Sequence, residues 1–233
     1  MTEVLNEKKS VAIHAANLVE NGMIVGLGTG STANYFIEEL ARKKREQGLK
    51  ITTVASSVVS TIKAQKAGLE LMAIEHVTNL DLYVDGADEV TPDLTLLKGR
   101  GFDLVKEKLL AKACQKMIVM VDQSKLVDRI GQNFPIPVEV MPFAWQLVQK
   151  SLQDVGGHGE LRSNSSGDGL AITSHGSLVL DMTFDDQYDV ANLNALLNAI
   201  PGVVEHGIFE QLASLVLIGS HDQVEQRWVK PDQ

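Results

Sequence analysis

Short apolar runs alternate with helix-like stretches along the first 130 residues of the chain. Strands that alternate with helices in this way form a mostly parallel sheet that helices cover on both faces. The sequence therefore predicts an α/β, Rossmann-like domain in this part of the chain. The apolar runs lie at residues 23–27, 51–55, 69–72, 80–84, 94–97 and 117–121, and the helical stretches at 4–20, 33–45, 58–67 and 103–113.

The chain changes character after residue 130. Residues 131–142 hold three of the six prolines. We expect 135–140 to form an extended link or an edge strand, because proline cannot donate to a central ladder. Two helical stretches and about four short strands then indicate a smaller α+β, ferredoxin-like domain over residues 131–207. The helical stretches lie at 143–153 and 190–200, and the strands at 159–162, 170–173, 178–184 and 203–206.

The apolar run at residues 215–219 is too hydrophobic for a solvated tail, so we assign it to the first sheet. The first domain then comprises residues 1–130 and 208–233. With 44% hydrophobic residues, a chain of 233 residues can bury a substantial core.

Composition restricts the possible partners. A net charge of -9 argues against nucleic acid and anionic membrane. A small phosphorylated molecule remains compatible, since backbone N–H groups at a helix start can bind phosphate. The six histidines lack ligand spacing, so no metal site is predicted. No apolar run is long enough to span a bilayer and the amino terminus lacks a signal-peptide core, which predicts a cytoplasmic protein.

A glycine-rich loop, Gly28-Thr29-Gly30-Ser31-Thr32-Ala33, links the first predicted strand to a helix. Such a link presents backbone N–H groups to an anion. It is not a Walker-type loop, because Gly30 stands where that loop needs lysine. Its glycine spacing fits a dinucleotide site, but the second strand ends in Ser56-Ser57 rather than in an acid that would hold a ribose. A compact phosphate site lined by hydroxyls and a purely structural turn both remain open.

Carboxylates and a lysine cluster in the middle of the chain. Asp85-Gly86-Ala87-Asp88-Glu89 follows the strand at 80–84, and Lys98-Gly99-Arg100-Gly101 follows the run at 94–97. We expect both segments at the carboxyl rim of the main sheet, where open α/β sheets bind ligands. A solvated acidic loop with Lys98 as its counter-ion is the plainer alternative.

Glu107 follows on a predicted helix. Residues three and four positions away share its helix face, and these are Asp103, Leu104, Leu110 and Ala111. An apolar flank and a like charge both raise the pKa of a carboxyl group, which suits a general base near neutral pH. Glu107 is therefore the candidate base.

In this order, the three motifs and Lys106-Glu107-Lys108 resemble ribose-5-phosphate isomerase of the A type. The likeness extends to residues 134–140 and 200–204. It implies interconversion of ribose 5-phosphate and ribulose 5-phosphate through an enediolate, with no cofactor and no metal. The partner is then a small-molecule sugar phosphate. Members of this family are usually dimers or tetramers, so a homodimer is expected.

The resemblance also implies residue roles. Glu107 moves a proton between C1 and C2, Asp85 and Asp88 act on sugar hydroxyls and ring opening, and Lys98 steadies the enediolate. The implied substrate contacts are Thr29, Gly30, Ser31, Thr32, Gly86, Ala87, Gly99, Arg100, Gly101 and Lys125.

One departure stands beside the proposed base: Phe102-Asp103 occupies a place where the family usually has small residues. The alternative function is a sugar-phosphate-binding sensor on the same scaffold, which would need no base. A nucleotide-dependent oxidoreductase is disfavoured by the missing ribose acid.

Overall fold

The computed structural model describes residues 2–184, 189–220 and 223–229. The helices within these ranges are α1 (Thr2–Ala16), α2 (Ser31–Gln47), α3 (Val58–Lys66), α4 (Leu104–Ala113), α5 (Trp145–Gln153) and α6 (Val190–Ala199). The strands are β1 (Ile24–Leu27), β2 (Thr52–Ala55), β3 (Glu70–Leu71), β4 (Leu80–Asp85), β5 (Glu89–Val90), β6 (Leu96–Leu97), β7 (Cys114–Asp122), β8 (Ile136–Val140), β9 (Gly157–Leu161), β10 (Leu178–Phe184), β11 (Val203–His206), β12 (Ile208–Phe209), β13 (Ala213–Ser220) and β14 (Gln223–Trp228).

The chain divides into two compact units. Unit 1 comprises residues 1–87, 106–126 and 212–233, and unit 2 comprises residues 88–105 and 127–211. This division differs from the sequence-based one, which left residues 88–105 in the first domain. Strands β5, β6 and β12 form a three-stranded antiparallel sheet, and this long-range pairing draws 88–105 into unit 2.

Unit 1 is built on a seven-stranded sheet in the order β14-β13-β7-β4-β1-β2-β3. Its ladders are parallel except for the β13–β14 pair, which confirms the α/β prediction. Strand β13 pairs with β7, so the assignment of residues 215–219 to this sheet is also confirmed. Strand β14 was not expected, because its mostly polar sequence carries no apolar run.

The core of unit 1 lies between the sheet and helices α1 and α2. Strand residues such as Val25 and Leu217 pack with Phe36 and Leu40 of α2 and with alanines of α1. Each of these residues is essentially inaccessible to solvent. Burial of both strand faces explains why the strands read as continuous apolar runs rather than as alternating patterns.

Unit 2 contains a four-stranded antiparallel sheet in the order β11-β8-β10-β9, with apolar residues of α5 and α6 packed on it. Strand β8 is an interior strand, so the expectation of a link or edge strand there is wrong. Proline is tolerated because the β11 ladder ends with His206 opposite Val138, one residue short of Pro137. The Pro137 carbonyl instead accepts a hydrogen bond from Gly207 N.

The expected strand at residues 170–173 is also absent from the described part of unit 2. A single bridge joins Ser163 and Leu170, and residues 173–177 form a turn closed by the Thr173 N–H to the Ser177 carbonyl. Among the described residues, no helix combines the length and apolar character needed to cross a membrane.

Candidate active site

The glycine loop of unit 1 is folded against Asp85, the last residue of β4. A Cβ placed on Gly28 would lie 2.1 Å from Asp85 Oδ1, so only glycine fits there. The next residue, Thr29, donates its backbone N–H to the same oxygen at 3.1 Å. The close approach of the Asp85 carboxylate therefore explains why residue 28 is glycine. The same glycine also fitted the spacing of a dinucleotide site.

Protein donors hold both oxygens of the Asp85 carboxylate. Besides Thr29 N, Gly86 N donates to Oδ1 at 2.8 Å, and the Tyr83 hydroxyl donates to Oδ2 at 2.5 Å. Asp85 is only 1% exposed, so these donors replace the water that an ionised carboxylate would otherwise bind. The predicted position of Asp85 at a strand end is confirmed, and the structure adds that its side chain has a fixed orientation.

The charges of this carboxylate and of the candidate base both act on Tyr83. Burial raises the pKa of Tyr83 well above its ordinary value, and the negative charges of Asp85 and Glu107 raise that pKa further. The phenol therefore stays protonated and remains a donor. Glu107 lies on α4 and is 7% exposed. Within unit 1, Tyr83 therefore donates to the Asp85 carboxylate and lies in the electrostatic field of Glu107.

A buried group of hydroxyls lies behind the glycine loop. The Thr29 hydroxyl donates to Ser57 Oγ at 2.7 Å and lies within 3.1 Å of the hydroxyls of Ser56 and Ser60. Ser60 in turn donates to the Gly28 carbonyl at 2.6 Å. The Thr29 side chain therefore bonds to the protein at the place where the sequence suggested a phosphate contact. Ser56 and Ser57 follow β2, where a dinucleotide site would carry its acid.

The start of α2 combines the features of an anion site. The helix begins at Ser31, and its first turn supplies backbone N–H groups beside the hydroxyls of Ser31 and Thr32. Lys8 of α1 donates from Nζ to Ser31 Oγ at 3.0 Å, which brings a positive charge to this helix start. Sequence reasoning missed Lys8, because no local pattern connects it to a loop 23 residues away.

Two further sequence-predicted segments belong to unit 1. Gly86 and Ala87 follow β4 and are half-buried. Lys125 is also half-buried and closes a short 3₁₀ turn after β7. The Asp122 carboxylate accepts the Ser124 N–H at 3.0 Å and so begins that turn.

Lys98 follows β6 in unit 2, and β6 lies in the three-stranded sheet. The expectation that this run belongs to the main sheet is therefore wrong. Lys98 is 4% exposed, and its Nζ lies 5.6 Å from the centre of the Phe209 ring, which is a cation–π distance. Asp88 donates its backbone N–H to the Leu97 carbonyl at 2.8 Å, so Asp88 lies beside the end of the same strand.

The turn Gly99-Arg100-Gly101 is fastened from within unit 2 by Arg162. One guanidinium nitrogen, Nη1, donates to the Gly99 carbonyl at 3.0 Å and to the Gly101 carbonyl at 3.1 Å. The other two nitrogens form a bidentate pair with Asp181 at 2.8 and 2.6 Å. A bidentate pair fixes the plane of the guanidinium, which then fixes the turn.

Phe102 and Asp103, which follow this turn, differ in their surroundings. Asp103 Oδ1 accepts a hydrogen bond from the Ser174 hydroxyl at 2.8 Å, while Phe102 is 45% exposed.

Glu89 serves the local structure, since its carboxylate accepts hydrogen bonds from three backbone N–H groups of residues 131–134. In the part of the chain that the structure describes, no group of three or more His, Cys, Asp or Glu residues is placed to hold a metal ion.

Comparisons with known proteins agree on one family. A family model for ribose 5-phosphate isomerase A (phosphoriboisomerase A) matches residues 52–223. The ribose-5-phosphate isomerase A of Methanothermobacter thermautotrophicus is 43% identical over 223 residues, which cover 95% of this chain and 97% of the relative. That of Thermosynechococcus vestitus is 43% identical over 213 residues, covering 91% and 90%.

Solved structures give the same answer. Ribose 5-phosphate isomerase A from Methanocaldococcus jannaschii has a TM-score of 0.91 and 37% identity, covering 98% of this chain and 100% of that one. A D-ribose-5-phosphate isomerase in complex with phospho-erythronic acid also has a TM-score of 0.91 and 37% identity, covering 95% and 97%.

Proposed function

This chain is an aldose–ketose isomerase of the ribose 5-phosphate isomerase A family, and we propose that Glu107 transfers the proton when the enzyme interconverts ribose 5-phosphate and ribulose 5-phosphate. In the open-chain aldose, a base removes the proton on C2 and leaves an enediolate across C1 and C2. Return of the proton to C1 yields the ketose. One carboxylate on a rigid element can perform both transfers.

The burial of Glu107 is the observation that carries this assignment. The side chain is 7% exposed on a regular helix, and its charge acts on Tyr83 together with that of Asp85. A carboxylate withdrawn from water is a stronger base than a solvated one. A sugar-phosphate sensor would gain nothing from such a buried carboxylate, and the family assignment supports the isomerase over the sensor.

We assign the sugar-facing roles to Asp85, Asp88 and Lys98. Donors fix Asp85 in one orientation, which suits a group that must accept a hydrogen bond from a sugar hydroxyl. Lys98 carries a positive charge in an environment that excludes most water. Preorganised charge of this kind stabilises an enediolate more effectively than solvent does.

The phosphate end of the substrate is assigned to the start of α2. The residues proposed to bind it are Lys8, Ser31, Thr32 and Lys125, with the backbone of Gly30. A solved relative in complex with phospho-erythronic acid supports the binding of a phosphorylated sugar acid by this fold. The turn at 99–101 and residues 86–87 are proposed as further backbone contacts to the sugar.

We also propose that the protein is a cytoplasmic homodimer that works without metal or cofactor. Apolar side chains are exposed on unit 2, with Phe143 84% and Leu147 74% accessible, and burial of such side chains favours self-association. A tetramer is the alternative. Light scattering on the purified chain measures the mass directly.

The decisive experiment is an isomerase assay on the purified chain in excess chelator and without nucleotide. We expect ribose 5-phosphate and ribulose 5-phosphate to reach equilibrium, and unphosphorylated ribose to react poorly because it lacks the group that the α2 start binds. Tight binding of ribose 5-phosphate without turnover would favour the sensor. Activity lost on chelation and restored by a metal ion would contradict the metal-free mechanism.

A further inference from the structure

Tyr83 occupies an unusual place for a buried tyrosine. It lies on β4 two residues before Asp85, is fully buried, and points its hydroxyl at the Asp85 carboxylate at 2.5 Å. Side chains two apart on a strand share a face, which allows this contact along one element. The contact is as short as charge-assisted O–H···O bonds are, and such bonds are stronger than neutral ones.

The ring of Tyr83 is packed independently of its hydroxyl. A Cβ placed on Gly26 of β1 would lie 2.6 Å from Tyr83 Cδ2, so the neighbouring strand needs glycine to admit the ring. Phenylalanine can fill the same space. The packing and hydrogen-bonding roles of Tyr83 are therefore separable by a single substitution that removes one oxygen.

From these contacts we propose that Tyr83 is a positioning residue for isomerisation, holding the Asp85 carboxylate in the orientation that the sugar meets. This inference rests on the proposed role of Asp85. The backbone N–H groups of Thr29 and Gly86 hold Oδ1 and the Tyr83 hydroxyl holds Oδ2, so donors on both oxygens restrain the rotation of the carboxylate about its Cβ–Cγ bond. Three donors on two oxygens define its plane.

The glycine loop has anchors other than Tyr83. Gly28 N donates to the Val84 carbonyl at 2.9 Å, and the Gly28 carbonyl accepts from Ser60 at 2.6 Å. Loss of the phenol should therefore disturb the carboxylate and leave the phosphate-binding end in place. This separation distinguishes positioning of Asp85 from a general loosening of the site.

The test is Tyr83→Phe, with Tyr35→Phe as the matched control on α2. Loss of one hydrogen bond to a charged group should lower kcat by roughly tenfold to a hundredfold. We expect KM and the inhibition constant of inorganic phosphate to stay within about twofold, because uniform binding at the phosphate end is unchanged. The control should keep wild-type kcat.

A double-mutant cycle with Asp85→Asn distinguishes a positioning role of Tyr83 from a merely structural one. If Tyr83 acts through Asp85, Tyr83→Phe should change kcat by less than about threefold when Asn is already present. A kcat within twofold of wild type, or an equal loss in both backgrounds, would overturn the proposal. Absence of wild-type turnover would instead overturn the proposed function. The urea midpoints of the same four proteins test the coupling without activity, and additive midpoints would also count against it.

Discussion

Gly28→Ala is the substitution whose effect follows most directly from the structure. The added Cβ would lie 2.1 Å from Asp85 Oδ1 and 2.2 Å from its Cγ, whereas ordinary contacts begin near 3.4 Å. The carboxylate must therefore retreat by roughly 1 Å. Gly28 does not have positive φ, so alanine meets no backbone strain and the clash is the whole effect.

Two magnitudes follow from that displacement. Misplacement of a functional group by about 1 Å can lower the rate by about 10². Overpacking of a rigid site typically costs about 1–3 kcal/mol of stability. We expect kcat for ribose 5-phosphate to fall about a hundredfold and the free energy of unfolding to fall within that range. Coupled enzymatic assays and urea denaturation measure the two quantities.

Gly30→Ala is the matched control. Gly30 has φ 114 and nothing within 4 Å of an added Cβ, so its substitution produces backbone strain without a clash. Gly30→Ala should lower the free energy of unfolding by a similar amount, about 1–3 kcal/mol. Its effect on the kinetics should appear mainly in KM, because the residue lies at the phosphate end. Asp85→Ala removes Oδ1 and Cγ, the two nearest of the three clashing atoms, and leaves Cβ at 2.6 Å, so it should reduce but not abolish the stability cost of Gly28→Ala. Equal costs with and without the Asp85 carboxylate would refute the reasoning.

Three other outcomes follow from the site and its surroundings. Arg162→Ala should lower kcat/KM roughly tenfold or more, because the turn at 99–101 loses the hydrogen bonds that hold it, whereas Arg42→Ala, which breaks two ion pairs on α2, should leave kcat/KM unchanged. Ser31→Ala and Thr32→Ala should mainly raise KM, and an unchanged KM in both would place the phosphate elsewhere. Burial raises the pKa of Glu139 above 4.5, so ionisation destabilises the fold as the pH rises past that value. The urea midpoint of Glu139→Gln should therefore rise relative to that of the wild type as the pH increases from 4.5, and a constant difference would contradict this.

The sequence predicts the parts of the fold whose signal is local. Apolar runs that are long enough to indicate buried strands predicted β1, β4, β7 and β13. The glycine link predicted the start of α2. The position of Asp85 followed from the glycine that ends its strand. Periodicity and turn residues carry this information, since it depends on neighbours within a few positions.

The missed features depend on contacts between distant residues. Two-residue strands such as β6 have no period. Pairing with β5 and with β12, which lies more than a hundred residues later, decides the sheet to which β6 belongs. Lys8 reaches the α2 start through the packing of two helices. The Thr29 hydroxyl contacts Ser56, Ser57 and Ser60, which follow β2 in the chain. A sequence pattern names such side chains but does not say which way they point.

Proton transfer by Glu107 is the central claim, and solvent exchange at C2 measures it most directly. In deuterium oxide, NMR follows loss of the C2 proton signal of ribose 5-phosphate in the presence of the wild-type chain and of Glu107→Gln. Glutamine is nearly isosteric but cannot act as a base, so we predict that kcat and the exchange rate both fall on the order of 10³ or more while the variant stays folded. Exchange at close to the wild-type rate would contradict the account and move the base to Asp85 or Asp88.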